Sequence, residues 1–263
     1  MSDVMQRILH GIRVAAVKIP GGVALVNCVL GKMSRRQNDR ARKNLQSNGM
    51  IVHGVIFETL SRAGVAYFAD HGTLLGLIRE NGVIAHDTDM DFSIPPEESL
   101  ERVSAALVKR GFRIVHGFAV DGVLAEMTLV YRDLSIDFFQ CHLIGEYLGH
   151  YIFVNEYAPK TGTFVRTWAR ERKRPPLAGL ETRVFGLEQQ TKVSIPQNAD
   201  EYLTASYGNW RVPDSTTDFS SEKIPTQYRN IYDGCRFLSA EEVEAYFTNS
   251  SLSNRQSQSG VKI

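Results

Sequence analysis

The stretch His86-Asp87-Thr88-Asp89-Met90-Asp91-Phe92 decides how the rest of the chain is interpreted, because acidic and apolar residues alternate in it. Alternate residues of a β-strand share one face, so the three aspartates are predicted to point one way, with Met90 and Phe92 in the core. Neighbouring carboxylates repel one another unless a cation lies between them. Oxygen ligands suit Mg²⁺ or Mn²⁺, so the stretch predicts a metal site.

A further candidate ligand is Asp137, the single carboxylate in the apolar segment Leu134-Ser135-Ile136-Asp137-Phe138-Phe139. Its apolar neighbours are expected to be buried, which turns Asp137 to the opposite face. If this strand lies beside the strand of Asp89 and Asp91, the carboxylates converge and can hold two ions for an in-line phosphoryl displacement. The alternative is a solvated acidic loop. The glycine and terminal glutamate of an EF-hand are absent.

A turn into a helix precedes the acidic strand. Gly72 and Thr73 would offer backbone amides and a hydroxyl to a phosphate at the start of this helix. Arg79, one or two turns later, is placed to bind the same anion through two hydrogen bonds. The structural alternative makes Thr73 an N-cap and Arg79 a surface residue. The sequence leaves these alternatives open.

The remaining pattern predicts an α+β fold, with a mixed β-sheet flanked by helices. Helices are predicted near residues 51–60, 74–80, 97–110 and 200–207, with Gly64 ending the first of them. Strands are predicted near residues 65–69, 90–94, 112–115, 127–131, 135–140, 151–154 and 183–186, with a hairpin at Arg132-Asp133-Leu134. GxGxxG and GxxxxGK[ST] motifs are absent, which argues against a Rossmann dinucleotide site and a P-loop.

Charge and composition divide the chain into a basic N-terminal extension (1–48), a catalytic domain (49–248) and a disordered tail (249–263). Residues 1–43 carry nine basic and two acidic residues. Residues 14–30 are apolar but too interrupted for a spanning helix, and no signal peptide is evident. The segment 1–45 is therefore expected either to lie on an anionic membrane surface or to pack on the domain as a helix.

The remaining candidate residues are three cysteines and a second basic cluster. Cys28, Cys141 and Cys235 form no CxxC pair, so they are expected to be small buried residues of a protein in a reducing compartment. The expected location is cytoplasmic, with peripheral attachment to the inner face of the membrane as an option. The basic cluster before Pro175 is either a solvated helix face or a binding site for an anionic acceptor or the donor; it comprises Arg166, Arg170, Arg172, Lys173 and Arg174.

These segments in combination resemble the LicD/fukutin family over about residues 51–214. Residues 72–79, Gly-Thr-Leu-Leu-Gly-Leu-Ile-Arg, resemble the family's Gly-Thr-Leu-Leu-Gly-x-x-Arg turn, and residues 82–91 its Gly-aromatic-Ile-Pro-Trp stretch and Asp-x-Asp-x-Asp triplet. Residues 195–213 resemble its C-terminal Pro…Tyr-Leu…Tyr-Gly-x-Trp…Pro motif. Asp137 matches a later acidic strand. The departures are His71 for a glycine, Ala85-His86 for Pro-Trp and Asp87-Thr88 for Asp-Asp.

The resemblance implies a nucleotidyltransferase fold and a specific reaction. A phosphorylated alcohol (phosphocholine, ribitol phosphate or glycerol phosphate) would move from a CDP-linked donor to a hydroxyl of a glycan or glycolipid, releasing CMP, in cell-surface polysaccharide synthesis or modification. Mg²⁺ or Mn²⁺ would be held by the catalytic residues Asp89, Asp91 and Asp137, the last of which either completes the metal site or takes the acceptor proton. The implied substrate-binding residues are Gly72, Thr73, Arg79, Asp87, Tyr207 and Trp210, the two aromatic residues being alternatively part of the core.

Two other functions stay open at this point. The same carboxylates would serve a nucleotidyltransferase that moves NMP from an NTP to a small acceptor. A non-catalytic module that binds anions or membranes would use the acidic cluster only structurally. A nucleic-acid partner is not expected, because the domain is acidic and lacks a basic stripe with interleaved aromatic residues.

Overall fold

The computed structural model of the protein describes the backbone of residues 22–158, 164–213 and 228–259. Side chains are described over residues 35–158, 164–213 and 229–249. The predictions for residues 1–21 therefore lie outside the described part of the chain. The side-chain contacts of residues 22–34 also lie outside the described part of the structure.

Helices and strands alternate irregularly along the described chain. The described helices are α1 (Gly22–Arg62), α2 (His71–Glu80), α3 (Leu100–Val108), α4 (Ala199–Tyr207) and α5 (Ala240–Ser259). The described strands are β1 (Phe68–Ala69), β2 (Asp89–Ile94), β3 (Arg113–Val120), β4 (Val123–Tyr131), β5 (Leu134–Gln140), β6 (His142–Ile144), β7 (Tyr147–Tyr157), β8 (Phe164–Arg174), β9 (Leu180–Phe185), β10 (Thr191–Pro196), β11 (Tyr228–Ile231) and β12 (Cys235–Ser239).

The largest sheet among the described residues has six strands in the order β1-β2-β5-β4-β3-β12. Strand β2 runs parallel to β5, whereas the other neighbouring pairs of this sheet are antiparallel. Strands β11, β8, β7 and β6 form a second sheet, and β9 pairs with β10. The mixed sheet flanked by helices confirms the predicted fold class.

The apolar face of the six-stranded sheet forms the core. Met90, Phe92 and Ile94 of β2 are fully buried, and so are Ile136 and Phe138 of β5, which confirms the predicted alternation on both strands. Helices α1 and α3 contact each other and pack against strands of this sheet. The acidic residues of β2 and β5 therefore lie on the opposite face, because side chains alternate along a strand.

Helix α1 is longer than the sequence pattern indicates. It runs without a break through residue 48, the predicted end of the N-terminal extension, so the division into domains stays a prediction. The helix docks on the domain from Arg42 onward, where Arg42 Nε donates to the carbonyl of His86 at 3.1 Å and Asn44 Nδ2 to the carbonyl of Arg132 at 2.8 Å. Gly64, at φ +60°, follows the helix end as predicted.

The structure corrects two local predictions. Residues 166–174 belong to strand β8, not to a helix, and this strand pairs with β7 on one side and β11 on the other. Helix α5 is described as far as Ser259, and the division that ends in a tail at residues 249–263 stays a prediction. The helical pattern over residues 97–110 predicts Val108 on the buried face, but Val108 is 44% exposed, because α3 ends there and its buried stripe is made by Leu100, Val103 and Leu107.

A bilayer-spanning helix is not found in the described part of the chain, since none of its helices combines the necessary length with the necessary apolar character.

Candidate active site

Three carboxylates meet where β2 lies beside β5. Asp91 is directly opposite Asp137 in the parallel pairing, and Asp89 precedes Asp91 by two residues on the same face. The structure thus brings together the three residues that the sequence singles out as metal ligands. Asp87 does not share their strand, because β2 begins at Asp89. It lies instead beside the start of α2.

Burial and mutual repulsion make this cluster unfavourable in its fully ionised form. Burial raises the pKa of Asp91 well above its usual range, and the charges of Asp89 and Asp137 raise it further. Burial likewise raises the pKa of Asp137 to about 7, against the opposing effect of a hydrogen bond from Thr128. Carboxylates that repel each other in this way are stabilised by a cation between them.

Glu126 is an acidic neighbour that the sequence analysis did not select. It is 8% exposed on β4, two residues before the Thr128 that faces Asp137 across the sheet. Burial raises the pKa of Glu126 well above its usual range, and Asp137 adds to the shift. The sequence does mark Glu126, because it is the one carboxylate in the largely apolar strand Val123–Tyr131, just as Asp137 is in its own strand.

The donor atoms of this cluster fit a hard divalent cation. The carboxylates of Asp89, Asp91 and Asp137 offer oxygen ligands with concentrated negative charge, which is the chemistry that Mg²⁺ and Mn²⁺ prefer. Within the described side chains, however, no three His, Cys, Asp or Glu residues already form a ready-made metal-ligand set. The fit therefore rests on charge and oxygen chemistry, and metal binding stays a proposal.

The N-terminus of α2 opens beside the acidic strand. Asp70 is its N-cap, and the first bond of the helical series runs from the Leu74 amide to the Asp70 carbonyl, so the amides of Gly72 and Thr73 lie before that series. The Thr73 hydroxyl accepts a hydrogen bond from the Asp91 amide at 2.8 Å. Thr73 is therefore not the N-cap; it ties this helix to the acidic strand.

Gly72 and Asp87 approach each other closely at this helix terminus. A Cβ atom added to Gly72 would lie 2.9 Å from Asp87 Oδ2. Burial raises the pKa of Asp87 to about 6, with a further contribution from Asp89. The absence of a side chain at Gly72 thus makes room for the Asp87 carboxylate.

The other predicted substrate-binding residues lie between α2 and α4. Arg79 donates to the carbonyl of Trp210 at 3.2 Å and to Glu80 at 2.7 Å, so it links α2 to the segment that follows α4. The Trp210 indole is 7% exposed and donates to Thr204 Oγ1 at 3.2 Å. Burial raises the pKa of Tyr207, and Asp91 contributes to that rise, which places the phenol near the acidic cluster. Substrate roles for all three residues stay predictions.

A buried ion pair between Asp70 and Arg174 joins the start of α2 to the end of β8. Arg174, the last residue of β8, is 1% exposed and donates to Asp70 Oδ1 and to the Tyr202 hydroxyl. Asp70 also accepts from the His71 amide at 2.6 Å and from Ser93 Oγ at 2.5 Å. Burial alone would raise the pKa of Asp70, but Arg174 and the hydrogen bonds outweigh it and hold that pKa at about 2.

Two histidines complete the surroundings of Arg174. Arg174 Nη2 lies 3.1 Å from His71 Nδ1 and 3.2 Å from His150 Nε2. An arginine only donates, so these ring nitrogens accept and both rings are neutral. Burial lowers the pKa of His71 to about 3. His71 has φ +45°, a conformation that glycine adopts without strain. This backbone conformation gives a physical reason for the glycine that the LicD/fukutin family usually has at the position of His71.

Comparison with known proteins shows what this chain is similar to. Residues 64–188 match the family model described as LicD/FKTN/FKRP, nucleotidyltransferase domain. The matched range includes the acidic cluster and both members of the buried ion pair, and it ends before Tyr207 and Trp210. A 177-residue alignment with the ribitol-5-phosphate transferase FKTN of Mus musculus is 25% identical and covers 66% of this chain but 36% of the mouse protein. Over residues 64–188, a little under half of its length, the chain is therefore similar to the nucleotidyltransferase domain of the LicD/fukutin family.

Proposed function

We propose that this chain is a metal-dependent phosphotransferase with a nucleotidyltransferase fold, which moves a phosphorylated alcohol from a CDP-linked donor to a glycan hydroxyl and releases CMP. The observation that carries the proposal is the direct pairing of Asp91 with Asp137, with Asp89 on the same face. The match to the family model over residues 64–188 supports the reaction class, and the name of the mouse relative favours ribitol phosphate among the candidate groups.

In this reaction the acceptor oxygen bonds to the phosphorus that carries the alcohol, and the bond from that phosphorus to the CMP oxygen breaks. A divalent cation held by Asp89, Asp91 and Asp137 would supply positive charge to the donor pyrophosphate. The amides of Gly72 and Thr73 at the start of α2 would bind a donor phosphate, because the helix dipole favours negative charge there. Where Asp89 and Asp91 hold the cation alone, Asp137 instead takes the acceptor proton.

A donor screen tests the function. The protein is incubated with Mg²⁺ and CDP-ribitol, CDP-glycerol, CDP-choline or CTP, with and without glycan acceptors, while CMP and pyrophosphate are followed. Acceptor-dependent CMP release from one CDP-alcohol is the expected result. Pyrophosphate release from CTP would instead establish NMP transfer, and binding of anions without turnover of any donor would support a non-catalytic module.

Gly72→Ala is expected to weaken donor binding with little loss of stability. The added methyl group would displace the Asp87 carboxylate, whose terminal oxygen lies 2.9 Å from the new Cβ position. We expect the donor KM to rise by about 10-fold, which corresponds to ~1.4 kcal/mol of lost binding, while Tm changes little. The control is Gly82→Ala, since a Cβ there meets nothing within 4 Å. An unchanged donor KM in Gly72→Ala would separate this helix terminus from the donor.

The basic extension is proposed to bind an anionic membrane surface. The structure changes how this is tested, because removing residues 1–45 would also remove Leu45, which is buried, and the contacts of Arg42 and Asn44. Arg35, Arg36 and Arg40 are exposed, so their joint change to Gln should leave the fold intact and weaken sedimentation with phosphatidylserine vesicles. Changing the exposed Arg110, Arg113 and Arg132 to Gln is the charge-matched control. Equal vesicle binding by the two triple variants would exclude the proposal.

A further inference from the structure

One row of residues crosses the six-stranded sheet and ends at the acidic cluster. Ser239 of β12 is opposite His116 of β3, His116 is opposite Thr128 of β4, and Thr128 is opposite Asp137 of β5. Asp137 is in turn opposite Asp91 of β2. Residues directly opposite one another in neighbouring strands project to the same face of a sheet. His116 and Thr128 thus share the face that carries the carboxylates.

Hydrogen bonds connect the row to Asp137 in a defined direction. Thr128 Oγ1 lies 2.5 Å from Asp137 Oδ1 and 3.1 Å from His116 Nε2. An ionised carboxylate only accepts, so the single hydroxyl hydrogen of Thr128 is donated to Asp137. The hydroxyl oxygen must then accept a hydrogen from His116 Nε2. His116 therefore orients the hydroxyl that holds the carboxylate.

An irregularity in the sheet puts His116 into this row. Ile114 is opposite Leu129 and His116 is opposite Thr128, so Val115 is an extra residue in β3. In a regular ladder Val115 would face Thr128 and His116 would project to the other face. Bulges of this kind occur next to active sites, where they redirect a side chain. The bulge at Val115 has this effect on His116.

Aromatic rings hold the imidazole in place. The His116 ring is stacked on Phe237, with centroids 5.3 Å apart and planes inclined by 27°. Phe118 meets the same ring edge to face, with centroids 5.4 Å apart. Rings packed on an imidazole restrict its rotation, so the Nε2 atom stays directed at Thr128. A histidine held only for its bulk would not need this direction.

We infer that Thr128 and His116 are positioning residues for Asp137: they engage its Oδ1 atom, fix the carboxylate plane, and direct the other oxygen to a divalent cation beside Asp91. The inference rests on the proposed metal site. It adds two residues that lie outside the acidic cluster and act on the cation through Asp137. Groups that orient a metal ligand by hydrogen bonding commonly affect metal affinity without touching the metal.

Mn²⁺ binding to the purified full chain, measured by the electron paramagnetic resonance signal of free Mn²⁺ without nucleotide, tests the inference. Thr128→Val keeps the shape of the side chain and removes the hydroxyl, so Mn²⁺ affinity should fall by about 10-fold. Thr128→Ser keeps the hydroxyl and should bind Mn²⁺ nearly as the wild type does. His116→Phe should weaken binding, and His116→Gln, whose amide can donate to Thr128, should weaken it less.

Thr59→Val is the matched control, because the Thr59 hydroxyl bonds the Val55 carbonyl within α1 and lies outside the row. Melting in EDTA confirms that each variant is folded. Wild-type affinity in Thr128→Val would overturn the inference, and so would equal losses in the Val and Ser variants or a wild type that binds no Mn²⁺. The donor screen on the wild type tests the reaction separately, so failure of the reaction and failure of the positioning row are distinguishable.

Discussion

Asp91→Asn should reduce turnover by more than about 100-fold, since a direct metal ligand is expected to matter more than the groups that orient ligands. Asp91 is half-buried beside Asp89 and Asp137, so its amide variant removes one of the charges that a cation would need. The variant should keep its fold, because loss of that charge also relieves repulsion. CMP release under saturating Mg²⁺ measures the effect. Near-normal turnover would show that the metal assignment is wrong.

The same variant should change how stability depends on pH. The pKa of Asp137 is raised to about 7 in the folded protein, whereas an aspartate in an unfolded chain titrates near 3.9. The folded state therefore binds this proton more tightly, and stability falls as pH rises between about 4 and about 7, by up to about 1.4 kcal/mol per pH unit. Burial raises the pKa of Asp91 in the same direction, so Asp91 contributes to this fall, and urea unfolding in EDTA at pH 5 and pH 8 should show a smaller fall for Asp91→Asn. Asp133→Asn, at the exposed hairpin turn, should change neither turnover nor this dependence.

Arg174→Met should cost about 3–5 kcal/mol of unfolding free energy, because it leaves the carboxylate of Asp70 buried without its cation. Asp70 caps α2 and also bonds Ser93 of β2, so the loss would loosen two elements of the site together. Urea unfolding measures the change. The double variant Asp70→Asn with Arg174→Met should recover much of the loss, since it removes both charges.

Arg166→Met is the control on the same strand and the same face. Arg166 pairs with Glu156, but both side chains are substantially exposed, so little change in stability is expected. An Arg174→Met protein as stable as the wild type would show that the buried pair does not hold α2 and β2 together. A double variant no more stable than Arg174→Met would point instead to the packing of the arginine stem.

The local pattern predicted those features that depend on neighbouring residues. Alternation gave the buried face of β2 and the opposite placement of Asp89 and Asp91, and the hairpin turn falls at Arg132 and Asp133, which both have positive φ. The parallel pairing that sets Asp91 against Asp137 was a condition in the sequence argument, and the structure satisfies it.

Features that depend on distant residues were not predicted. The basic cluster of β8 carries no local sign that Arg174 is buried, because that burial is stabilised by Asp70, far away in the chain. His116 joins the polar row only through the extra residue in β3, and no periodicity in the sequence marks a bulge. Asp87 was assigned to the face of Asp89, but its position depends on where β2 begins and on the space left by Gly72.

The unbroken helix α1 also sets a distance. Gly22 and Arg42 are separated by twenty residues of helix, which corresponds to about 30 Å along its axis at the usual rise per residue. A surface held only at the Gly22 end, rather than along Arg35, Arg36 and Arg40, would therefore lie at a stand-off of up to about 30 Å from the point where Arg42 meets the domain. An acceptor hydroxyl embedded in that surface would lie beyond the reach of the carboxylates, whereas one carried at the tip of an extended chain would not. The rigid stem would then select acceptors by length as well as by chemistry.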